Sequence, residues 1–181
     1  MLEIELKARL QSKERVMQAL TEKGCIWEKN VCQEDVIYIQ KNVEQTINIP
    51  VFRIRKIDEK IILTLKIQAA DINTAKELEL EVSDGNMMHQ ILQIIGFDAK
   101  VELKKRRTET EYKGYTICID EVDRLGDFIE IEKLAQEAQI EEEYAEMWKV
   151  FEGLGIQKSD LEEKKYFEMI QELEEKGEEK I

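Results

Sequence analysis

Glu3, Glu5 and Lys7 occupy alternate positions among apolar Ile4 and Leu6 at the start of the chain. On a strand such residues share one face. The two carboxylates would then lie roughly 6.6 Å apart, a spacing that can hold a hard cation and that is repulsive without one. The alternation recurs with the signs sorted. Lys7 is followed by Arg9, Arg53 stands with Arg55, and Lys66 sits in an apolar run. Glu77 stands with Glu79 and Glu81, Lys105 with Arg107, and Glu130 with Glu132, while Asp120 ends the run Ile117-Cys118-Ile119.

Like charges on one face are costly unless opposite charges or ions face them. The sorted strands are therefore expected to turn their charged faces toward a shared interior, as a sheet closed into a barrel would allow. Their apolar alternates would face outward, beneath helices. Basic groups and carboxylates in one water-poor space suit an anion bridged to metal. Arg53, Arg55 and Arg107 can fork onto phosphate oxygens, and Lys7, Lys66 and Lys105 can act as point charges. Glu3, Glu5, Asp120, Glu130 and Glu132 offer the oxygen ligands that Mg²⁺ or Mn²⁺ prefers. Six cationic side chains match a polyphosphate better than a monophosphate, and paired metal ions would serve phosphoryl or nucleotidyl transfer. Glu77 and Glu79 can orient the interior arginines as readily as bind metal. A short echo, Glu3-Ile4-Glu5-Leu6-Lys7-Ala8 against Glu130-Ile131-Glu132-Lys133-Leu134-Ala135, fits two related halves that each bring a carboxylate pair.

Eight strands are expected, at 2 to 10, 34 to 40, 50 to 57, 61 to 68, 76 to 82, 101 to 112, 115 to 121 and 127 to 133. Gly114 between Tyr112 and Tyr115 reads as a hairpin turn, and so does Asp58-Glu59-Lys60, so antiparallel neighbours dominate. Between Gln40 and Pro50 the polar sequence reads as a mobile loop. Four helices are punctuated by caps and glycines: Ser12 to Gly24, Ser83-Asp84 to Gly96, 137 to 152, and one that opens on Ser159-Asp160-Leu161-Glu162 as a capping box. The last runs past Ile170 into an acidic tail, 174 to 180, expected to fray. Tyr144, Met147, Trp148 and Phe151 fall on one helical stripe, a packing face that could also serve a homodimer. The whole is read as one α+β domain spanning 1 to 181.

Composition narrows the partners. A net charge of −13 argues against nucleic acid and anionic membrane, because polyphosphate backbones would be repelled. A small anion could still bind where basic groups gather away from the acidic exterior. No apolar run reaches the roughly 18 residues of a membrane span, and no signal-like segment opens the chain, so a cytoplasmic protein is expected. Three cysteines, Cys25, Cys32 and Cys118, form no CxxC pair and fit a reducing compartment. His89 is the only histidine, which excludes histidine-rich zinc chemistry.

Taken in order, these motifs resemble the CYTH superfamily of triphosphate tunnel metalloenzymes across nearly the whole chain. The ExExK signature stands as Glu3, Glu5 and Lys7. It is followed by Gln33, Asp35 and Tyr38, then Phe52-Arg53-Ile54-Arg55 and Leu63-Thr64-Leu65-Lys66. Glu77-Leu78-Glu79-Leu80-Glu81, Lys105-Arg106-Arg107, Ile119-Asp120-Glu121-Val122 and Leu125 to Glu132 complete the pattern. The resemblance implies an eight-stranded antiparallel β-barrel with helices packed outside. Its lumen would bind a triphosphate, and carboxylates from both halves would hold divalent metal.

Within the superfamily the chain is most similar to the class IV adenylyl cyclase branch. There the closing segment usually carries Arg-x-(Ser)-Tyr, so in Lys164-Lys165-Tyr166 the resemblance puts Lys164 where an arginine touches phosphate, keeping the charge without the fork. Three functions remain open: cyclisation of ATP to cyclic AMP and pyrophosphate, hydrolysis of inorganic triphosphate, thiamine triphosphate or a nucleoside triphosphate, and polyphosphate binding without turnover.

Overall fold

The computed structural model describes residues 1–43, 49–69 and 74–178. Their alternating segments form β1 (Leu2–Arg9), β2 (Val31–Gln40), β3 (Pro50–Ile57), β4 (Lys60–Gln68), β5 (Thr74–Glu81), β6 (Phe97–Tyr112), β7 (Tyr115–Val122) and β8 (Gly126–Ala135). They close into a barrel in the order β1-β5-β4-β3-β2-β6-β7-β8, with every neighbour antiparallel. The strand expectation holds within a few residues at each end, the main extension being β6, which begins at Phe97. Lys113 and Gly114 both take positive φ, 54° and 78°, and join β6 to β7 with Tyr112 opposite Tyr115. That sign pattern matches the twist of the flanking strands. Of the loop expected between Gln40 and Pro50, residues 44–48 lie outside the described residues.

The helices are α1 (Lys13–Glu22), α2 (Gly85–Ile94), α3 (Ile140–Gly153) and α4 (Tyr166–Glu178), with short 3-10 turns at Glu137–Gln139 and Lys158–Asp160. Ser12 caps α1 by accepting from the Arg15 backbone N–H, and Asp84 caps α2 by accepting from Met87. On the outer face of the barrel, Ile4, Ile117, Ile119, Ile129 and Ile131 pack against Leu20 of α1 and Met147 and Phe151 of α3. Each fully buried apolar side chain of this size contributes about 1.5–3 kcal/mol. Met147 and Phe151 are thus spent inside the core, while Tyr144 and Trp148 are partly buried beside it. Across the barrel, Leu92 of α2 packs with Tyr38, Ile54, Leu63 and Phe97. No helix among the described residues is long and apolar enough to cross a membrane.

α4 departs from expectation. The apolar alternates do not all face outward, because Ile37, Ile39, Val101, Leu103, Val122 and Phe128 share the face of the charged residues. They pack against Tyr166, Met169 and Ile170 of α4, which therefore covers part of the barrel interior. α4 stays regular through Glu178, so the acidic tail is helical from 174 to 178 instead of frayed, and 179–181 lie outside the described residues.

The start of α4 is also later than the sequence predicts. Among the described residues, β1 meets β5 at Glu3↔Ala75 and Ile4↔Thr74, at the start of β1. Toward the end of β1 the chain preceding α4 runs alongside: Ala8 bridges Leu161, and the Glu162 N–H donates to the Lys7 carbonyl at 2.9 Å. A helix over 159 to 165 could not satisfy that edge, since its own backbone groups would be bonded internally. The cap accordingly closes two residues earlier, where the Gln157 N–H donates to the Asp160 carboxylate at 2.9 Å around the 3-10 turn.

Candidate functional site

Strand register builds the site. Glu5 stands opposite Glu132 and Lys7 opposite Glu130 across β1 and β8, so the two Glu-Ile-Glu segments lie side by side. Arg107 stands opposite Asp120 across β6 and β7, and Asp35 opposite Arg55 across β2 and β3. The charged faces enclose a cavity of about 550 Å³. Arg107 forks onto Asp120 (Nε to Oδ1 2.7 Å, Nη2 to Oδ2 2.6 Å), donates to Glu132 at 3.1 Å, and also pairs with Glu130. Lys105 donates to Asp120 at 2.7 Å. Arg55 forks onto Asp35 with both bonds at 2.7 Å. Arg53 bonds Glu79 at 3.0 Å and Thr64 at 3.1 Å, while Lys66 pairs with Glu77 and lies 3.7 Å from Glu3. Tyr166 at the head of α4 donates its hydroxyl to Asp120 at 3.1 Å. The Lys7 and Lys105 ammonium groups lie 4.8 Å and 5.2 Å from its ring centroid.

Carboxylate oxygens of Glu5, Glu130 and Glu132 come within 4.8 Å of one another. Burial raises the Glu132 carboxyl to about 7, against Arg107, with Glu130 and Glu5 adding their repulsion. Burial likewise raises Glu3 to about 8, opposed by Lys66 and reinforced by Glu77. Burial also acts upward on Glu5, but Lys7, Lys66 and Arg107 outweigh it and hold that carboxyl low. Asp120 is held low in the same way by Arg107 and Lys105. A set of hard oxygen donors whose members resist ionising together fits a divalent cation.

Residues 1–166 match the family model of the CYTH domain. The chain belongs to the CYTH family. A Methanocaldococcus jannaschii protein named as a candidate adenylate cyclase is 28% identical over 174 residues, which cover 93% of this chain and 98% of its own. A solved Pyrococcus horikoshii structure is similar with a TM-score of 0.80 and 29% identity, over 92% of this chain and 98% of the other. An adenylyl cyclase candidate from Hippeastrum, described as having a dominant triphosphatase activity, shares the fold with a TM-score of 0.57 and 18% identity, over 85% and 88% of the two chains.

In this CYTH barrel, Glu3, Glu5, Lys7, Arg53, Arg55, Lys66, Glu77, Glu79, Lys105, Arg107, Glu130 and Glu132 all line the one cavity, as the sorted faces predict. Two residues are placed otherwise. Asp120 is fully buried and stands apart from the carboxylate trio, its oxygens taken by Arg107, Lys105 and Tyr166. Lys164 is exposed and pairs with Glu172 on the surface of α4, while its neighbour Lys165 lines the cavity and donates to Gln68 at 2.8 Å. The chain bridges β1 at Ala8 and Leu161 shortly before these two lysines, and nothing local in Lys164-Lys165 signals which of them enters. Asp35 also belongs to the site, as the bidentate partner of Arg55. Its alternation with Gln33 and Ile37 on β2 is the signal that could have placed it.

Proposed function

We propose that the chain is a divalent-cation-dependent enzyme that binds the triphosphate of ATP in the tunnel and releases cyclic AMP and pyrophosphate. The observation that carries this reading is the trio Glu5, Glu130 and Glu132, with carboxylate oxygens within 4.8 Å of one another, in the cavity that also holds the arginines and lysines. The name of the Methanocaldococcus jannaschii relative supports the cyclase chemistry. Glu5, Glu130 and Glu132, with Glu3 close by, would hold Mg²⁺ or Mn²⁺, which would supply charge neutralisation for the phosphoryl group and acidify an attacking hydroxyl.

The chain's own residues do the rest. Lys7, Arg53, Arg55, Lys66, Lys105, Arg107 and Lys165 take the phosphate charge, arginine as a fork and lysine as a point. Glu77 aims Lys66, Glu79 aims Arg53, Asp35 aims Arg55, and Asp120 aims Arg107 and Lys105. α4 covers the interior around Tyr166, where exclusion of water strengthens each of these interactions. Held in this way, the substrate would present its α-phosphorus to the ribose 3′ oxygen, with pyrophosphate leaving among the cations.

Hydrolysis is the second reading, because the fold carries a triphosphatase activity in the Hippeastrum protein and the same residues would position water at a terminal phosphorus. Incubation with Mg²⁺ or Mn²⁺ and ATP, inorganic triphosphate or thiamine triphosphate separates the readings by product. Cyclic AMP with pyrophosphate supports the first and orthophosphate the second. Binding without turnover of any of the three overturns both.

A further inference from the structure

We propose that the edge of β5 from Glu77 to Glu81 is a docking site for a partner protein, which adds an extended strand that alternates Lys or Arg with apolar residues.

Backbone geometry opens this edge. In an antiparallel ladder each residue turns its N–H and C=O toward one neighbour only, and the side alternates along the strand. The Val82 N–H donates to the Ile61 carbonyl at 2.9 Å and the Ala69 N–H to the Thr74 carbonyl at 2.8 Å, both continuing the β4–β5 register. Even-numbered residues of β5 therefore bond to β4, and the backbone groups of Glu77, Glu79 and Glu81 point to the other side. On that side the pairing with β1 ends at Glu3↔Ala75, and among the described residues no other backbone group bonds to Glu77, Glu79 or Glu81. Three N–H and three C=O groups stand in register along one edge, which is the template that strand addition uses.

Side chains specify the strand. Leu78 and Leu80, on the outer face, are 53% and 54% exposed. Leu80 lies opposite Leu63, which packs with Leu92 of α2, so the helix covers β4 and leaves β5 bare. On the inner face the Glu79 and Glu81 side chains stay 49% and 62% exposed, although they pair with Arg53 and Lys60. An incoming strand meets leucines on one face and carboxylates on the other, so apolar and basic residues must alternate along it. Inward-pointing charge is also how a sheet edge refuses unsuitable strands. Pairing of β5 with that of a second copy sets glutamate opposite glutamate in every register that keeps leucine beside leucine, and the net charge of −13 adds to the repulsion. The same carboxylates that reject a second copy select a basic partner. Because Glu77 and Glu79 also line the cavity, the docked strand lengthens the wall beside it.

The test is titration of the full chain, followed by fluorescence anisotropy, with a short labelled peptide that alternates Lys and Val. It is expected to bind at least about tenfold tighter than a peptide of the same composition with its lysines in one block, and than one alternating Glu and Val. N-methylation of one alternate set of its amides, the lysines for an antiparallel strand or the valines for a parallel one, is expected to weaken binding by about tenfold or more, while methylation of the other set changes it by less than about twofold. Leu78→Ser/Leu80→Ser is expected to weaken binding by about tenfold with the melting temperature within a few degrees of the parent, since both leucines are half-exposed without a partner. Equal affinity for the alternating and block peptides shows attraction by net charge alone and overturns the proposal. Equal sensitivity to the two methylated sets overturns it as well, and so does the absence of binding.

Discussion

Glu5 stands directly opposite Glu132 across the β1–β8 ladder, a like-charge pair inside the barrel with Glu130 beside it. In the absence of a cation this arrangement is costly, and its cost depends on pH. Glu132 is raised from 4.5 to about 7 and Glu3 from 4.5 to about 8, burial being the main cause of each. A carboxyl whose folded pKa is raised binds its proton more tightly in the folded state. Its stabilisation is complete below about pH 4.5 and is lost as pH rises through 7 to 8. The carboxyls held low, such as Asp35, Glu5 and Asp120, lose their contribution only below the ordinary carboxylate range, so they do not offset this loss. In EDTA the melting temperature should therefore fall between pH 6 and pH 9, by a loss on the order of 1–3 kcal/mol. Glu132→Gln should flatten the part of the slope near pH 7. A melting temperature that rises across this interval in EDTA contradicts the assignment.

Metal and triphosphate should bind as a coupled pair. Nearly every tunnel cation already has a carboxylate partner, for example Lys66 with Glu77 and Arg107 with Glu130. A polyanion entering alone would leave those carboxylates buried and uncompensated, whereas a cation entering with it neutralises them. Triphosphate affinity should rise by at least about tenfold on adding Mg²⁺, and Mg²⁺ affinity by the same factor on adding triphosphate. Glu130→Ala should remove metal-dependent turnover and shrink this coupling while the melting temperature stays within a few degrees. Calorimetry in both orders of addition is the measurement, and independent binding of the two would refute the coupling.

Arg55 does more for the fold than its sequence pattern indicates. Both it and Asp35 are buried, and the pair is held by two bonds of 2.7 Å. Arg55→Ala should destabilise the protein by about 3–5 kcal/mol, because Asp35 is left as a buried charge without its counterpart. It should also weaken triphosphate binding. The double variant Arg55→Ala/Asp35→Ala should recover much of the stability but not the affinity. Chemical denaturation of the single and double variants separates the two contributions; a double variant no more stable than the single would show that the uncompensated charge is not the cause.

The difference between what was legible in the sequence and what was not has a physical basis. A strand's period of two is fixed by its backbone, so sorted charges at alternate positions are enough to put Glu5, Arg55, Lys105 and Glu130 on one interior face. Asp120 lies on that face too, but whether it serves metal or arginine depends on the β6–β7 register, which sets it opposite Arg107. The closing segment was the least legible. Its helical capping pattern competes with the edge of β1, a partner 153 residues away in the Arg9–Glu162 contact, and local signals carry nothing of that competition. The inward turn of Ile37 and Leu103 was hidden for a similar reason, since they read as outward-facing core residues until α4 is seen to pack against the barrel interior.

Lys164 and Lys165 offer the sharpest contrast between neighbours. Lys164 is solvent-exposed and bonded to Glu172, a surface pair of the kind that contributes about 0–1 kcal/mol. Lys165 lines the cavity, and its only side-chain hydrogen bond among the described residues goes to the neutral amide of Gln68; burial lowers its pKa, with Glu168 opposing. Having no carboxylate to release, Lys165 can bond a phosphate oxygen at little cost. Lys165→Ala should therefore weaken triphosphate binding by about tenfold or more, the scale of one charge-assisted hydrogen bond. Lys164→Ala should change it by less than about twofold. Lys165→Arg should restore part of the loss, because the charge returns with a different shape. Titration of these three variants with inorganic triphosphate in Mg²⁺ decides the matter, and a larger loss at Lys164 than at Lys165 would reverse the assignment of which side chain enters the tunnel.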